Sequence, residues 1–181
     1  MPIDLVHYDP AWPAHFAQIK AALEHHLDTL ARHIDHVGST AVPGLDAKPK
    51  IHVDVTLYSA AHTDRAVGRL VSVGYTALGP LYGAGDYHLT LPGGTASVNA
   101  VNAALPIGHR VVLCGPDARG PGDRARFRDL LRAEDQLARE YAALKRDLAR
   151  LHGPADNWTG YNDGKSAFIT AALAQTRPGI A

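Results

Sequence analysis

With 181 residues, 46% of them hydrophobic and 20% charged, the chain has the length and balance of one folded domain around a single core, with no large disordered region expected. Lys and Arg total 18, as do Asp and Glu, so no net field draws the chain onto duplex nucleic acid or an anionic membrane. One cysteine, Cys114, excludes an intramolecular disulfide, and the absence of a signal-like or spanning apolar run makes the cytoplasm the expected setting.

After Tyr8-Asp9-Pro10, apolar residues at Phe16, Ile19, Leu23, Leu27 and Leu30 recur at helical spacing, which predicts a helix from Ala11 to about His33. Tyr8 and Trp12 are expected to anchor it to the core. Ile34 to Val37 reads as a short strand running into Gly38-Ser39 and a turn through Pro43-Gly44-Leu45. Ile51 to Leu57 alternates without a break, so Ile51, Val53, Val55 and Leu57 share one face while His52, Asp54 and Thr56 share the other. A second helix is expected from Ala60 to about Val73, with Ala66, Val67, Leu70 and Val71 as its buried stripe and Gly74 as its stop.

Tyr75–Leu78, Tyr87–Leu91, Ala96–Val101 and His109–Cys114 are further predicted strands. The run Val111-Val112-Leu113 predicts that Cys114 is a buried, inert thiol. Gly115 to Gly122 is expected to be a connecting loop by composition. From Asp123 to about Leu151 the pattern is helical, with a break near Ala133-Glu134, and a last helix is predicted from Tyr161 to about Ala174. The order of elements implies an α/β (α+β) fold: a mixed β-sheet with flanking helices and a helical C-terminal part, formed as a single domain over residues 1–181.

The candidate chemistry lies between His36 and Val55. A Gly-Ser pair after a strand presents a close, sharply turned backbone and a hydroxyl to a phosphate, which points to Gly38 and Ser39. Twelve residues after Ser39 begins the strand on which His52 and Asp54 share a face, the arrangement with which a divalent metal bridges protein and phosphate oxygens. An imidazole in the first position suits Zn²⁺ or Ni²⁺ better than Mg²⁺, whereas Mn²⁺ accepts either donor. His36, His88 and His109 are candidate partners for such a site. Asp86, ahead of a strand, is a candidate third carboxylate. Lys48 and Lys165 are candidate phosphate-neutralising residues, and Asp46 reads as a turn residue rather than a ligand.

The stretch His36-Val37-Gly38-Ser39-Thr40-Ala41-Val42-Pro43-Gly44-Leu45-Asp46-Ala47-Lys48-Pro49 closely resembles the signature of the GrpB family, within the nucleotidyltransferase-fold superfamily. Tyr8-Asp9-Pro10-Ala11-Trp12, Phe127 to Arg132, Tyr141 to Lys145 and Lys165 to Ile169 extend the likeness over nearly the whole chain. The resemblance implies a nucleotidyltransferase-like sheet whose Gly-Ser pair and following Asp-x-Asp strand form the active corner. This chain has His52-Val53-Asp54 at that strand, and His109-Arg110-Val111 where similar proteins carry a His-rich strand.

Three readings follow. In the first, Asp54 is catalytic and, with Mg²⁺ or Mn²⁺, supports transfer of a nucleotidyl group to an acceptor that the sequence does not identify. In the second, the corner binds a nucleotide or phosphorylated metabolite without turnover. In the third, His52, Asp54, His36 and His109 hold Zn²⁺ or Ni²⁺. All three expect a small-molecule partner, not duplex nucleic acid or membrane, and the sequence specifies no oligomeric state.

Overall fold

Ile51, Val53, Val55 and Leu57 have no solvent exposure, and the strand they define, β2 (Ile51–Leu57), lies inside a five-stranded sheet. In the computed structural model, which describes residues 3–81, 85–93, 105, 107–153 and 157–175, the other strands are β1 (Ala31–Val37), β3 (Thr76–Gly79), β4 (Asp86–Leu91) and β5 (His109–Cys114). Their order across the sheet is β1-β2-β5-β4-β3. The β2/β5 pair is parallel and the other three pairs are antiparallel, so the sheet is mixed as expected. The predicted strand Ala96–Val101 lies outside the described residues.

Cross-strand register decides which residues share a face. Ile34, Val55, Leu113 and Tyr87 align across four strands, as do His36, Val53, Val111 and Leu89. This face packs on α1 (Trp12–Leu27) and α2 (Thr63–Val71), whose Ile19, Leu23, Leu27, Ala66 and Leu70 complete the main core. Trp12 is buried in that core with its ring edge-on to Tyr8 at 5.2 Å, so the pair anchors α1 as expected. The opposite face carries Asp35, His52, Asp54, Thr56, Arg110, Cys114, Asp86 and His88. Over it lies α3 (Arg119–Ala133), followed by α4 (Asp135–His152) and α5 (Trp158–Gln175). Phe127, Leu131, Tyr141 and Ala172 from these helices enclose a second apolar cluster on Val42 and Leu45 of the Gly-Ser loop.

Several boundaries differ from the sequence expectation. The first helix stops at Leu27 because Asp28 takes a left-handed φ of 49°, and a short 3-10 turn then keeps Leu30 buried. β1 consequently begins at Ala31 rather than Ile34, since pairing along the full length of β2 satisfies the main-chain groups of Ala31 to His33. Val71, expected in the buried stripe of α2, is the last residue of that helix and is exposed. α3 begins at Arg119, four residues before the expected start, because Pro121 sits in the first turn, where a helix has no use for its missing N–H. The expected loop thus shrinks to Gly115–Ala118. The break after Ala133 is present, at Glu134, and α5 starts three residues early at Trp158.

Candidate functional site

Gly38 closes β1 with φ 75° and ψ −173°, a conformation that side-chain-bearing residues avoid, and the ring of His52 lies beneath it. A Cβ at position 38 stands 3.6 Å from His52 Cβ and 3.7 Å from its Nδ1, so contact is tolerable but the backbone is not. Gly38→Ala is therefore expected to cost about 1–3 kcal/mol in urea denaturation through backbone strain alone.

His52 sits in a ring of cations. Burial, followed by the fields of Arg110, Lys48, Lys50 and Lys165, pushes its pKa down to about 3, so its imidazole is neutral at physiological pH. Register places Arg110 directly beside His52 on β5. Lys48 lies over the rings of Trp158 (4.3 Å) and Tyr161 (5.4 Å), and Lys165 lies over Tyr161 at 4.4 Å. Burial and the repulsion of neighbouring cations lower both lysines to about 8. Among the described residues no carboxylate forms an ion pair with Arg110, Lys48, Lys50 or Lys165. Arg110 Nε is buried without a hydrogen-bond partner among the described residues.

One residue further along the same face of β2, the chemistry changes sign. Asp54 is 1% exposed, and its Oδ2 accepts a 2.6 Å hydrogen bond from Arg124 Nε of α3. Arg124 Nη1 donates to Asp86 Oδ2 at 3.1 Å, so one guanidinium spans two carboxylates. Burial raises the Asp54 pKa, Arg124 opposes that rise, and Asp86 and Asp35 add to it. Asp54 Oδ1 has no hydrogen-bond partner among the described residues. Cys114 is buried beside the pair with its thiol donating to Asp86 Oδ1 at 3.2 Å, and burial raises its pKa, in keeping with an inert thiol.

The expected four-ligand set does not converge. His36 and His109 align with core residues Val53 and Ile51, on the sheet face opposite to His52 and Asp54. His36 stacks on Phe16 of α1 at 4.7 Å and pairs with Thr40 Oγ1 at 3.0 Å, while His109 Nε2 pairs with the Tyr75 hydroxyl at 2.8 Å. Both are satisfied core histidines, a correction that follows from the cross-strand register together with the pleat. His88 shares the face of Asp54, yet no group of three His, Cys, Asp or Glu side chains among the described residues is arranged around a common metal position.

Asp46, read as a turn residue, ties the loop to α4: its carboxylate pairs with Arg146 at 2.9 Å and with His7 at 3.0 Å. Its carbonyl accepts a hydrogen bond from Lys145, whose Nζ also lies 3.0 Å from Ser39 Oγ. Arg128 Nη1 donates to the His36 carbonyl at 2.9 Å, and Arg132 holds the Ala41 carbonyl at 2.7 and 2.9 Å, so α3 and α4 together clamp the Gly-Ser loop. Arg110, Arg124 and Lys145 are the site residues that sequence reasoning missed. For Lys145 a signal existed: it falls one turn after Tyr141 and one before Leu148, on an apolar stripe where a charged residue is out of place.

Residues 2–175 match the family described as GrpB protein. Over 97% of this chain and 69% of the relative's length, the sequence is 38% identical to UPF0157 protein PA4798 of Pseudomonas aeruginosa. A segment of 80 residues is 40% identical to part of dephospho-CoA kinase of Mycolicibacterium paratuberculosis, covering 42% of this chain and 20% of that one. Among solved structures, conserved protein GrpB from Enterococcus faecalis superposes with a TM-score of 0.76 at 25% identity, over 95% of this chain and 98% of that one. By this match over residues 2–175, and with a Gly-Ser corner set beside β2 in a mixed sheet, the chain belongs to the GrpB family.

Proposed function

We propose that the corner formed by Gly38, Ser39, His52, Lys48, Arg110 and Lys165 binds a phosphate-bearing small molecule of the nucleotide class, and does so without a divalent metal. The observation that carries this reading is the set of cations unpaired among the described residues: Arg110 Nε is buried with no acceptor there, and Lys48, Lys50 and Lys165 crowd the same corner with no described carboxylate to balance them. Such a cluster is stable only at a cost that a bound anion offsets. Phosphate oxygens supply both acceptors and charge. The segment shared with a protein named for acting on dephospho-CoA points the same way.

The donor set fits Mg²⁺ poorly. A hard dication wants several oxygens, whereas here the first carboxylate position is a neutral imidazole among four cations. The second, Asp54, already has one oxygen on Arg124. In this reading Arg110, Lys48 and Lys165 neutralise the phosphate, the role that a metal plays elsewhere.

Titration of the protein with ADP or ATP in the presence of a chelator is expected to give saturable binding. Arg110→Ala is expected to weaken it roughly tenfold to a hundredfold, the range for losing a charge-assisted hydrogen bond. No saturable heat with any nucleotide or with dephospho-CoA overturns the proposal.

A second reading, metal-dependent nucleotidyl transfer through Asp54, is favoured by one observation, the unpartnered Asp54 Oδ1. It requires Arg124 to leave Asp54 when metal and substrate bind. Pyrophosphate release from a nucleoside triphosphate with Mg²⁺ or Mn²⁺, lost in Asp54→Asn, supports it over binding alone.

A further inference from the structure

Lys145 of α4 is only 2% exposed and forms no ion pair among the described residues. Its Nζ lies 3.0 Å from Ser39 Oγ and also contacts the Asp46 carbonyl, which accepts one of its hydrogens. Tyr141, on the preceding turn of the same helix, has its ring 5.0 Å from Lys145 Nζ. Ser39 itself is half-buried at the start of the loop, next to exposed Gly38. A neutral amine has two N–H groups and one lone pair; donating to Asp46 leaves the lone pair free to accept the Ser39 proton.

We propose that Ser39 is a nucleophile with Lys145 as its general base, and that the pair accepts an acyl group from an activated donor whose leaving group carries phosphate. In the step, Ser39 Oγ bonds to the acyl carbon and its proton passes to Lys145 Nζ. The carbon–oxygen bond to the phosphate breaks, the phosphate leaves with the electron pair onto the cations Lys48 and Lys165, and it takes the proton from Lys145 Nζ, which returns the amine to its neutral form. Water attacks the resulting serine ester with Lys145 again as base, and returns Ser39 with a free carboxylic acid. The choice of leaving group rests on the anion-binding reading above, and the nucleophile does not.

Burial makes Lys145 suited to this work. Its pKa is brought down to about 7, first by desolvation and then by Lys165, Arg146 and Lys48, against the opposing pull of Asp46, so much of it is neutral at physiological pH. An ordinary lysine at 10.4 is not.

Two probes separate the parts. A fluorophosphonate has no phosphate leaving group and reports the nucleophile alone. It is expected to label Ser39, located by peptide mass spectrometry, at a rate that rises with pH and levels off above about pH 7. Ser39→Ala removes the label. Lys145→Arg keeps a cation and donor but not a base, and is expected to slow labelling roughly a hundredfold or more and to remove the rise of the rate toward pH 7, a pH profile that a purely structural lysine does not set. Native circular dichroism of Lys145→Arg accompanies the rate, and if that variant is unfolded the wild-type pH profile decides. Acetyl phosphate, with the reaction quenched in acid during turnover, is expected to leave one acetyl group on Ser39 that alkaline hydroxylamine removes, which distinguishes an ester from an acetylated lysine. Absence of fluorophosphonate labelling overturns the nucleophile while leaving nucleotide binding intact. Labelling without acylation by acetyl phosphate overturns the donor class.

Discussion

Arg124→Ala is expected to destabilise the protein by about 3–5 kcal/mol in urea denaturation, the largest effect of any single surface-accessible side chain in the site. Arg124 reaches across from α3 to hold Asp54, which is 1% exposed, at 2.6 Å and Asp86 at 3.1 Å. Burial of a carboxylate is tolerable while a guanidinium touches it. Removal of the partner leaves an uncompensated charge that water cannot reach, and Asp54 then takes up a proton instead, since its pKa is already raised. Two further measurements refine the account. Arg124→Ala combined with Asp54→Asn is expected to recover part of the loss, because the second change removes the stranded charge. Binding of Mn²⁺, followed by electron paramagnetic resonance, is expected to be stronger in Arg124→Ala than in the parent, because Asp54 and Asp86 then face each other without a resident cation. Equal stability of Arg124→Ala and the parent contradicts the assigned role of the ion pair.

Acid sensitivity is the second large effect, and beside the share from His52, lowered to about 3, it comes from the opposite face of the sheet. Desolvation, with Arg132 and Arg128 adding repulsion, lowers His36 to about 4; desolvation likewise lowers His109 to about 4, against an opposing hydrogen bond to the Ile107 carbonyl. Both are neutral in the folded state and take up protons near 6.5 once unfolded. Between pH 6.5 and 4 the unfolded chain therefore binds more protons, so their contribution to stability is present above 6.5 and is lost as pH falls toward 4. Each contributes about 3 kcal/mol to that loss. Stability measured in urea from pH 7 to pH 4 is expected to fall steeply, and more shallowly in His36→Gln and His109→Gln by about one proton each. An unchanged slope in both variants rules out these histidines as the source.

The same two histidines show where sequence reading stopped. Alternation in Ile51–Leu57 was clear because only one face is apolar, and the structure reproduces that strand residue for residue. β5 was found with the same bounds, yet Val111, Val112, Leu113 and Cys114 are apolar on both faces, which hid the side on which His109 falls. His36 was open to inference: it shares parity with Ile34, and that parity is the core side. The location of the Gly-Ser corner was legible in the spacing from Ser39 to His52. Its electrostatic character was not, because Arg110, Arg124 and Lys145 reach it from β5, α3 and α4, and only folding brings those elements together. A chain with equal numbers of acidic and basic residues still concentrates its cations around His52, which a net charge of zero conceals.

The central claim is that these cations, rather than a metal, hold the phosphates. Calorimetric titration of the metal-free protein with ADP, in chelator and again in Mg²⁺, tests it most directly. The account predicts saturable binding in chelator that Mg²⁺ does not strengthen, that weakens as salt is raised, and that Arg110→Ala largely removes. Binding that appears only when Mg²⁺ is added contradicts it, and returns Asp54 to the role of a metal ligand.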